Sequence, residues 1–246
     1  MVCGSSQGIG LAITKSLLTV EDYDLIIATF RNESSLTELK QLSSEFPKKL
    51  LLMKINPLSD ESLLEAKNQI GEKTQSIDLL INCIGFLHNE EIMPEKNISE
   101  ITLKKLLLSF EVNTAPTLLF AKYFKNMLLK QKGSKFVSVS AKVGSISDNK
   151  SGGWYSYRAS KAALNMCIKN ISIEFNRMGK ECTVFSLHPG TTETRLSEPF
   201  IENARKKYEI HSTESTAQNL LKIILDSENK SHNGKFFSWD GSELPW

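Results

Sequence analysis

Several features that mark whole classes of protein are scarce or missing in this sequence. Its 246 residues include four cysteines and four histidines, all dispersed without the short spacings of metal ligands, so we expect no metal site. The longest apolar runs, such as 50–53, are far shorter than the roughly 20 residues that span a bilayer, so we expect no membrane partner. A net charge of +2 gives no strong field, which argues against a nucleic-acid partner.

The cysteines and the amino-terminal segment bear on location. Cysteines without paired spacing are typical of reduced thiols, which predicts a cytoplasmic protein. No signal peptide precedes the first glycine motif, and this agrees with that location. Only residues 1–3 stand before the motif, whereas a strand usually has about five or six residues. The first strand is therefore unusually short, or the natural N-terminus has been clipped.

Apolar runs and segments of helical period alternate along the chain, which predicts an α/β fold. Hydrophobic residues make up 40% and charged residues 24% of the composition, as in a soluble globular protein with a large core. Strands are predicted at 1–3, 24–30, 50–55, 77–82, 134–140, 181–187 and 235–239. Helices are predicted at 9–19, 34–45, 59–72, 99–131, 154–178 and 214–226.

The predicted strands are almost continuously apolar, which is typical of a parallel sheet covered on both faces. We expect a doubly wound sheet of about seven strands in three αβα layers, and a single domain over 1–246. Segments 85–98 and 190–213 are polar and irregular, and each follows a predicted strand. Because ligands bind outside the carboxyl ends of such strands, both are candidate substrate loops, with plain surface connections as the alternative.

A glycine-rich turn, Gly4-Ser-Ser-Gln-Gly8-Ile-Gly10, joins the first predicted strand to the first predicted helix. Glycines suit a chain that turns tightly and lets its backbone approach a pyrophosphate closely. The amino end of the helix offers free N–H groups and a partial positive charge to that anion. The spacing differs from G-x-G-x-x-G, and such a turn alone is often a generic loop. Its strand–turn–helix context favours a dinucleotide site containing Gly4, Ser6, Gly8, Ile9 and Gly10.

The end of the second predicted strand bears on which dinucleotide binds. An acidic residue there would accept hydrogen bonds from the adenosine ribose, whereas a basic residue can pair with a 2′-phosphate. Arg31 follows this strand, and the next carboxylate is Glu33. A guanidinium grips phosphate bidentately, so the sequence favours NADP(H). Gln7 is neutral where a second basic residue would strengthen that preference, so NAD(H), with Arg31 as a plain loop residue, stays the alternative.

Tyr157 and Lys161 lie four residues apart on a segment of helical period, so both side chains share one face. A free tyrosine has a pKa of about 10 and is a poor base near neutrality. A nearby lysine charge favours the phenolate and tunes the tyrosine toward proton exchange with a substrate oxygen. The pair alone is a weak signal, because Tyr-x-x-x-Lys occurs often by chance. Tyr155 lacks such a partner, since Ala159 stands four residues on.

Taken together, these motifs resemble the short-chain dehydrogenase/reductase family over essentially the whole chain. The matching residues are Gly4, Gly8 and Gly10, Asn82-Cys83-Ile84-Gly85, Asn113, Tyr157-x-x-x-Lys161 and His188-Pro189-Gly190. Within the family the chain is most similar to the C-factor and sniffer-type carbonyl reductase branch. The stretches that carry this closer similarity are PEK at 94–96, VGSISDN at 143–149, GGWYSYRASKAALN at 152–165 and DGSELPW at 240–246. The resemblance implies a Rossmann-type fold.

The resemblance also implies a role for each matching residue. Tyr157 would be the acid/base that protonates the carbonyl oxygen during reduction. Lys161 would hold the nicotinamide ribose and lower the pKa of Tyr157, while Asn113 would support a water that relays protons to Lys161. The other coenzyme contacts would come from Asn56, Asn82, Cys83, Ile84, Gly85, Pro189, Gly190 and Thr194.

The chain departs from the family pattern at the hydroxyl that hydrogen-bonds the substrate oxygen. Family members commonly carry paired serines three and four residues before a glycine, but here Ser140 is followed by Ala141. Ser140 is the preferred substitute, Ser145 is the alternative, and a site with neither is the third possibility. Ile84 in place of the usual alanine and Asn56 in place of an aspartate are smaller departures.

These observations favour an oxidoreductase that moves hydride between NADP(H) and a small carbonyl or alcohol. The alternative is a low-turnover dinucleotide-binding signalling or scaffold protein, motivated by Ala141 and by the signalling association of the C-factor branch. In the resembled family, the helices that correspond to 99–131 and 154–178 form the main dimer surface. A homodimer or homotetramer is therefore expected.

Overall fold

A computed structural model describes residues 1–33 and 36–246 of the chain. Its strands are β1 (Val2–Cys3), β2 (Ile26–Phe30), β3 (Leu50–Lys54), β4 (Leu79–Asn82), β5 (Ser134–Val139), β6 (Cys182–His188), β7 (Thr191–Thr192), β8 (Ile210–His211) and β9 (Phe236–Ser238). Seven of them form one parallel sheet in the order β3-β2-β1-β4-β5-β6-β9. The remaining two, β7 and β8, form a small separate parallel pair.

Helices connect these strands. They are α1 (Gly8–Leu18), α2 (Thr37–Glu45), α3 (Asp60–Gly71), α4 (Leu103–Asn113), α5 (Ala115–Leu128), α6 (Tyr155–Arg177), α7 (Ile201–Arg205), α8 (Thr213–Asp226) and α9 (Asn229–His232). Side-chain hydroxyls start three of them, because Ser59, Thr102 and Ser212 each accept a hydrogen bond from a backbone N–H in the first turn. The predicted start of α2 at 34 and 35 lies outside the described residues. In the part of the chain that is described, no helix combines the length and apolar character needed to cross a bilayer.

Apolar side chains bury both faces of the sheet. On one face Phe120, Phe124 and Phe175 pack from α5 and α6. On the other face, Leu17 of α1 and Ile224 of α8 belong to a second buried cluster. Helices thus cover both sides of a parallel sheet, which confirms the predicted doubly wound, three-layer Rossmann-type architecture.

The predicted helix at 99–131 is wrong in one respect, because the structure divides it into α4 and α5. Thr114 separates the two helices, with φ −110° and ψ −53°. Pro116 stands in the first turn of α5, and it lacks the N–H that a continuous helix would need there. Asn113 is therefore the last residue of α4 rather than a position inside one long helix.

The prediction of an irregular segment at 190–213 is also wrong in part. This segment contains β7, α7 and β8, and it leads directly into α8. Both strands have only two residues, which is too short to produce a readable period in the sequence. The predicted loop at 85–98 has no strand or α-helix over 85–97, as expected.

The order of the strands defines where a ligand can bind. β1 and β4 are neighbours, but the chain proceeds from β1 toward β2 on one side and from β4 toward β5 on the other. The connections that leave the carboxyl ends of β1 and β4 therefore diverge and open a crevice at that edge. The glycine-rich turn follows β1, and residues 83–85 follow β4, so both predicted site segments lie at this crevice.

Candidate active site

The glycine-rich turn is held against the end of β2. The Ser5 N–H donates to the carbonyl oxygen of Thr29 at 2.9 Å, and the Gly4 N–H donates to Thr29 Oγ1 at 3.3 Å. The turn closes so tightly that a Cβ atom on Gly10 would lie 2.2 Å from the Gly4 carbonyl oxygen. Only glycine fits at position 10, which agrees with the tight turn that was predicted for a phosphate-binding site.

The amino end of α1 faces the loop that follows β6. The helix begins at Gly8, and a Cβ atom on Gly8 would lie 3.5 Å from the methyl group of Thr194. Gln7 is extended, and its side chain makes no capping hydrogen bond within the described residues. The first N–H groups of α1 and its partial positive charge therefore point into a narrow gap beside Thr194. This cradle fits the pyrophosphate of a dinucleotide.

Arg31 and Asn56 follow the ends of the neighbouring strands β2 and β3 at the same edge of the sheet. Both side chains are exposed. The Asn56 side-chain oxygen accepts a hydrogen bond from the Leu58 N–H at 3.2 Å, and the Asn56 N–H donates to Ser62 Oγ at 3.0 Å. Asn56 is thus fixed in a turn, whereas Arg31 is an exposed residue that a phosphate can reach.

The segment that follows β4 packs directly on the glycine-rich turn. A Cβ atom on Gly4 would lie 3.0 Å from Ile84 Cγ1, and one on Gly10 would lie 3.3 Å from Cys83 Cβ. Asn82 is buried; its amide donates to Thr117 Oγ1 at 3.0 Å, and its oxygen accepts from the Ile84 N–H at 3.1 Å. The structure therefore brings together the two segments that the sequence assigned to the coenzyme.

Tyr157 and Lys161 lie in the first two turns of α6, and both side chains are buried. The Lys161 Nζ atom is 5.9 Å from the centroid of the Tyr157 ring, and it donates to the carbonyl oxygen of Val139 at 3.0 Å. A Cβ atom on Gly85 would lie 3.6 Å from the same Nζ atom. Lys161 thus lies at the carboxyl ends of β4 and β5, next to the segment that borders the crevice, and Tyr157 lies one turn before it on α6.

Burial changes the ionisation of both groups. Loss of water raises the pKa of Tyr157 above its ordinary value, because a phenolate is poorly solvated there. The expectation that Lys161 lowers this pKa is therefore wrong for this structure. Loss of water also lowers the pKa of Lys161 to about 8, while the neighbouring thiol of Cys83 opposes that decrease. The neutral phenol is therefore favoured at Tyr157 near neutrality, which suits a proton donor, and Lys161 keeps its charge below a pH of about 8.

Asn113 ties three segments together behind this pair. Its side-chain oxygen accepts from the Phe86 N–H at 2.7 Å, and its amide donates to the Phe86 carbonyl oxygen at 2.9 Å. The same amide donates to Ser160 Oγ at 3.0 Å. The side chain therefore binds backbone and serine groups around Lys161, and the predicted role of Asn113 in a water relay stays a prediction.

The three residues of the substrate-hydroxyl prediction have different surroundings. The buried Ser140 donates its hydroxyl proton to Asn165 Oδ1 at 2.8 Å, two helical turns beyond Tyr157 on α6. Ala141 follows, outside the strand. The buried Ser145 accepts from the Asp148 N–H at 3.1 Å, and within the described residues its own hydroxyl proton has no assigned acceptor. Ser145 also follows a short 3-10 helix that packs on Lys161 through Gly144.

The residues after β6 complete the edge of the crevice. Pro189 and Gly190 follow the strand, and a Cβ atom on Gly190 would lie 2.8 Å from the His211 ring. Thr194 faces Gly8 as described above, and its N–H donates to Ser197 Oγ at 3.0 Å. The structure thus places Thr194, one of the predicted coenzyme contacts, opposite Gly8 of the glycine-rich turn.

Comparison with known proteins identifies the family. The family profile described as short chain dehydrogenase matches residues 1–205, which is most of the chain. The chain belongs to the short chain dehydrogenase family. This membership confirms the family and the oxidoreductase class that the sequence motifs implied.

Individual short chain dehydrogenases resemble the chain over nearly its whole length. An uncharacterized oxidoreductase of Schizosaccharomyces pombe is 26% identical over 255 residues, which cover 100% of this chain and 96% of that protein. The NADPH-bound carbonyl reductase from chicken fatty liver is 26% identical with a TM-score of 0.84, and the match covers 100% of this chain and 93% of that one. The carbonyl reductase Sniffer of D. melanogaster shares the fold, with a TM-score of 0.86 and 24% identity over 99% of this chain and 97% of that one.

Two residues beside Tyr157 were not among the site residues predicted for this short chain dehydrogenase. Glu95 is almost completely buried and is hydrogen-bonded to the amino end of α6. Trp154 packs its ring against those of Tyr157 and Phe200, with centroids 6.1 Å and 4.9 Å away. The sequence signal for these residues was that Glu95 lies in the PEK stretch and Trp154 in the GGWYSYRASKAALN stretch. Both stretches supported the family resemblance, but neither indicated a contact across the fold.

Proposed function

We propose that this short chain dehydrogenase transfers hydride between NADP(H) and a small carbonyl or alcohol. One observation carries the proposal: a buried phenol and a buried ammonium, Tyr157 and Lys161, lie one turn apart on α6 beside the crevice that the glycine-rich turn borders. A buried acid/base of this kind has little structural use, and its placement suits proton exchange with a ligand in the crevice.

The residues that would hold the coenzyme line the same edge of the sheet. Gly4, Ser6, Gly8, Ile9 and Gly10 would bind the pyrophosphate at the amino end of α1. Arg31 would pair with a 2′-phosphate, which supports NADP(H) over NAD(H), and the chicken carbonyl reductase also carries NADPH. The remaining contacts would come from Asn56, Asn82, Cys83, Ile84, Gly85, Lys161, Pro189, Gly190 and Thr194. When bound, the nicotinamide supplies the hydride in reduction and accepts it in oxidation.

Tyr157 and its neighbours would handle the proton. In reduction, Tyr157 gives its phenolic proton to the carbonyl oxygen, and in oxidation it takes the proton of the alcohol. Lys161, held by the Val139 carbonyl oxygen, stabilises the phenolate that the reduction leaves behind. Asn113 fixes the backbone at Phe86 and the side chain of Ser160, and it would orient a proton-relay water toward Lys161.

A serine hydroxyl would complete the site. Ser140 already donates its proton to Asn165, so its capacity to donate to a substrate oxygen is used. Ser145 accepts a hydrogen bond and still has a proton to give. These contacts favour Ser145 as the donor in place of Ala141, with Ser140 as the alternative.

The molecule would work as an oligomer of single-domain subunits in the cytoplasm. Exposed apolar residues lie on three helices that pack together, including Leu107 of α4, Leu118 of α5 and Met166 of α6. Such residues support a homodimer or homotetramer formed through this face. The four cysteines are free thiols, which suits a reducing compartment.

Replacement of Tyr157 by phenylalanine tests the chemistry. Screening carbonyls with NADPH and NADH, and alcohols with the oxidised coenzymes, identifies the substrates of the wild type. Tyr157→Phe should then lower kcat at least about 1000-fold while leaving the coenzyme Kd within about twofold, because only the proton donor is lost. The matched control is Tyr155→Phe on the same helix, which removes a phenol that has no lysine four residues on.

Turnover by Tyr157→Phe at the rate of the control would reject the proposed chemistry. The scaffold alternative makes the opposite prediction for the wild type, namely coenzyme binding without robust turnover of any carbonyl or alcohol. Neither the family match nor the relatives named above favour that alternative, since all of them are dehydrogenases or oxidoreductases.

A further inference from the structure

Glu95 is a buried carboxylate that the proposed chemistry does not use. It lies in the predicted substrate loop 85–98 and is 1% exposed. Its Oε2 atom accepts from the Ser156 N–H at 3.2 Å, and its Oε1 atom accepts from the Ser156 hydroxyl. Ser156 is the second residue of α6, where N–H groups lack partners within the helix. The carboxylate therefore caps the helix that carries Tyr157 from another segment of the chain.

The backbone of Glu95 holds the chain that enters α6. Its carbonyl oxygen accepts from the Trp154 N–H at 2.5 Å. Gly152, Gly153 and Trp154 have φ values of 61°, 64° and 49°, and Trp154 is the only non-glycine residue with positive φ among the described residues. A left-handed conformation costs a side-chain-bearing residue about 1–2 kcal/mol. Strain of this size persists where surrounding contacts enforce it, and Glu95 supplies such a contact.

The residue on the other side of Tyr157 is anchored as well. Arg158 donates through Nε to the carbonyl oxygens of Gly152 at 3.1 Å and Gly153 at 3.0 Å, and through Nη1 to that of Val143 at 3.3 Å. Tyr157 therefore stands between two residues, Ser156 and Arg158, that are both hydrogen-bonded to other segments. The anchor on Ser156 consists of two hydrogen bonds, one to each oxygen of the same carboxyl group.

We propose that Glu95 is a positioning residue for Tyr157, which fixes the first turn of α6 through Ser156 and Trp154 so that the phenol meets the substrate oxygen. The inference rests on the proposed function. Glu95 does not touch the reacting atoms; it acts through the backbone on either side of Tyr155. A displacement of about 1 Å in such a group can cost about 100-fold in rate, whereas coenzyme binding at the distant glycine-rich turn is unaffected.

Three variants of the full-length protein test this role by steady-state kinetics and coenzyme titration. Glu95→Ala should lower kcat about 10- to 100-fold, with the NADPH Kd within about twofold of the wild type. Glu95→Gln should recover kcat to within about threefold, because its oxygen can accept from the Ser156 N–H while its amide donates to the Ser156 hydroxyl. Ser156→Ala keeps Glu95 and loses only the hydrogen bond from the Ser156 hydroxyl, so it should lower kcat about three- to tenfold. This variant replaces Glu95→Ala in the test if Glu95→Ala does not fold.

The matched control removes a cap from a helix that carries no catalytic residue. Ser59→Ala deletes the hydroxyl that accepts from the Ser62 N–H at the start of α3, and it should lower stability by about 1 kcal/mol with kcat unchanged. All variants are assayed well below their thermal midpoints.

The outcomes separate the two proposals. If the wild type turns over no carbonyl or alcohol, the proposed function fails and this inference with it. With an active wild type, the inference alone is overturned by any of three results: kcat of Glu95→Ala within twofold of the wild type, an equal loss in Ser59→Ala, or a folded Glu95→Gln as slow as Glu95→Ala. If Glu95→Ala does not fold, an unchanged kcat in Ser156→Ala overturns it.

Discussion

Lys161 carries a positive charge in a place from which water is largely excluded. The side chain is 3% exposed, and the backbone oxygen of Val139 is its hydrogen-bond acceptor. Burial lowers its pKa from 10.5 to about 8, so the folded protein binds this proton more weakly than the unfolded chain does. At neutral pH the charge therefore destabilises the fold by an amount on the order of 3 kcal/mol.

Lys161→Met should abolish turnover, because the group that stabilises the phenolate is lost. The same change should stabilise the protein, because a buried charge is removed. We expect the free energy of unfolding at pH 7 to rise by about 2 kcal/mol, because loss of the hydrogen bond to Val139 offsets about 1 kcal/mol of that cost. The thermal midpoint should rise by about 4–8 °C. The gain over the wild type should shrink as pH rises from about 8 to 10.5, because the wild-type folded state has lost the proton there while its unfolded state retains it. Denaturant unfolding at several pH values measures both effects.

The control for this prediction is Lys222→Met on α8, where the lysine is exposed. That change should move stability by less than about 0.5 kcal/mol at any pH. A Lys161→Met protein that is less stable than the wild type at pH 7 would contradict the assigned desolvation.

The two serines near Tyr157 give a second prediction for single residues. Ser145→Ala should lower kcat about 100-fold, because it removes a hydrogen-bond donor from the charge that develops on the substrate oxygen. Ser140→Ala should mainly lower stability, by about 1–3 kcal/mol, because it leaves the buried Asn165 without its donor. Steady-state kinetics and thermal unfolding of both variants measure these losses. A larger loss of kcat in Ser140→Ala than in Ser145→Ala would restore Ser140 to the donor role.

Local spacing in the sequence is enough to predict that two side chains share one face of a helix. Tyr157 and Lys161 are four residues apart, and a helix alone is enough to place them on one face. The choice between Ser140 and Ser145 depends instead on which partner each hydroxyl finds, such as Asn165 for Ser140. Glu95 reaches Ser156 across 61 residues of sequence, and no local pattern encodes that contact.

At the scale of secondary-structure elements, the turn between β1 and α1 has almost no spare room. Gly10→Ala would place a methyl group 2.2 Å from the Gly4 carbonyl oxygen, so the turn must open. We expect this change to lower stability by about 1–3 kcal/mol and to weaken NADPH binding at least about tenfold, since the helix N–H groups move away from the pyrophosphate. Fluorescence titration and thermal unfolding measure these effects.

Gly71→Ala is the matched control for this change. Gly71 ends α3, and a Cβ atom there would have no neighbour within 4 Å among the described residues. Gly71→Ala should leave NADPH binding unchanged and raise the free energy of unfolding by up to about 1 kcal/mol. Equal coenzyme affinity in the two variants would disprove the tight-turn explanation.

Elements of ordinary length were predictable, whereas breaks and very short elements were not. The apolar runs at 50–55 and 134–140 correspond to β3 and β5 within a residue at either end. The separation of α4 from α5 depends on Thr114, whose hydroxyl donates to the Ser160 carbonyl oxygen on α6 at 2.8 Å. Pro116 was a local signal for this break, whereas the contact between Thr114 and α6 is tertiary and is not contained in the helical pattern.

At the scale of the whole molecule, exposed apolar residues lie on α4, α5 and α6, three helices that pack together. Leu103 is 70% exposed and Leu107 57% exposed on α4, and Met166 of α6 is exposed nearby. Apolar residues grouped in this way commonly mark an interface between proteins. The alternation of strands and helices predicted the layers of the fold, but which surface residues would share this face became visible only in three dimensions.

Leu107→Lys should convert the expected dimer or tetramer into smaller species, because a charge on this face would be buried without a partner. Sedimentation velocity at micromolar concentration measures the change. Leu225→Lys, a similar substitution at an exposed leucine of α8 on the opposite side of the sheet, should leave the assembly intact. A wild type that sediments as a monomer would rule out the proposed oligomer.

The left-handed backbone at Trp154 also has a practical consequence for anyone wishing to redesign this enzyme by directed evolution. At most positions, exchanging a large aromatic residue for glycine sacrifices stability. Here glycine would relax a dihedral angle that tryptophan tolerates poorly, and this relief offsets part of the lost packing against Phe200. Because Trp154 packs against the ring of Tyr157, libraries that change the surroundings of this phenol can begin at Trp154, with glycine and asparagine as the first choices.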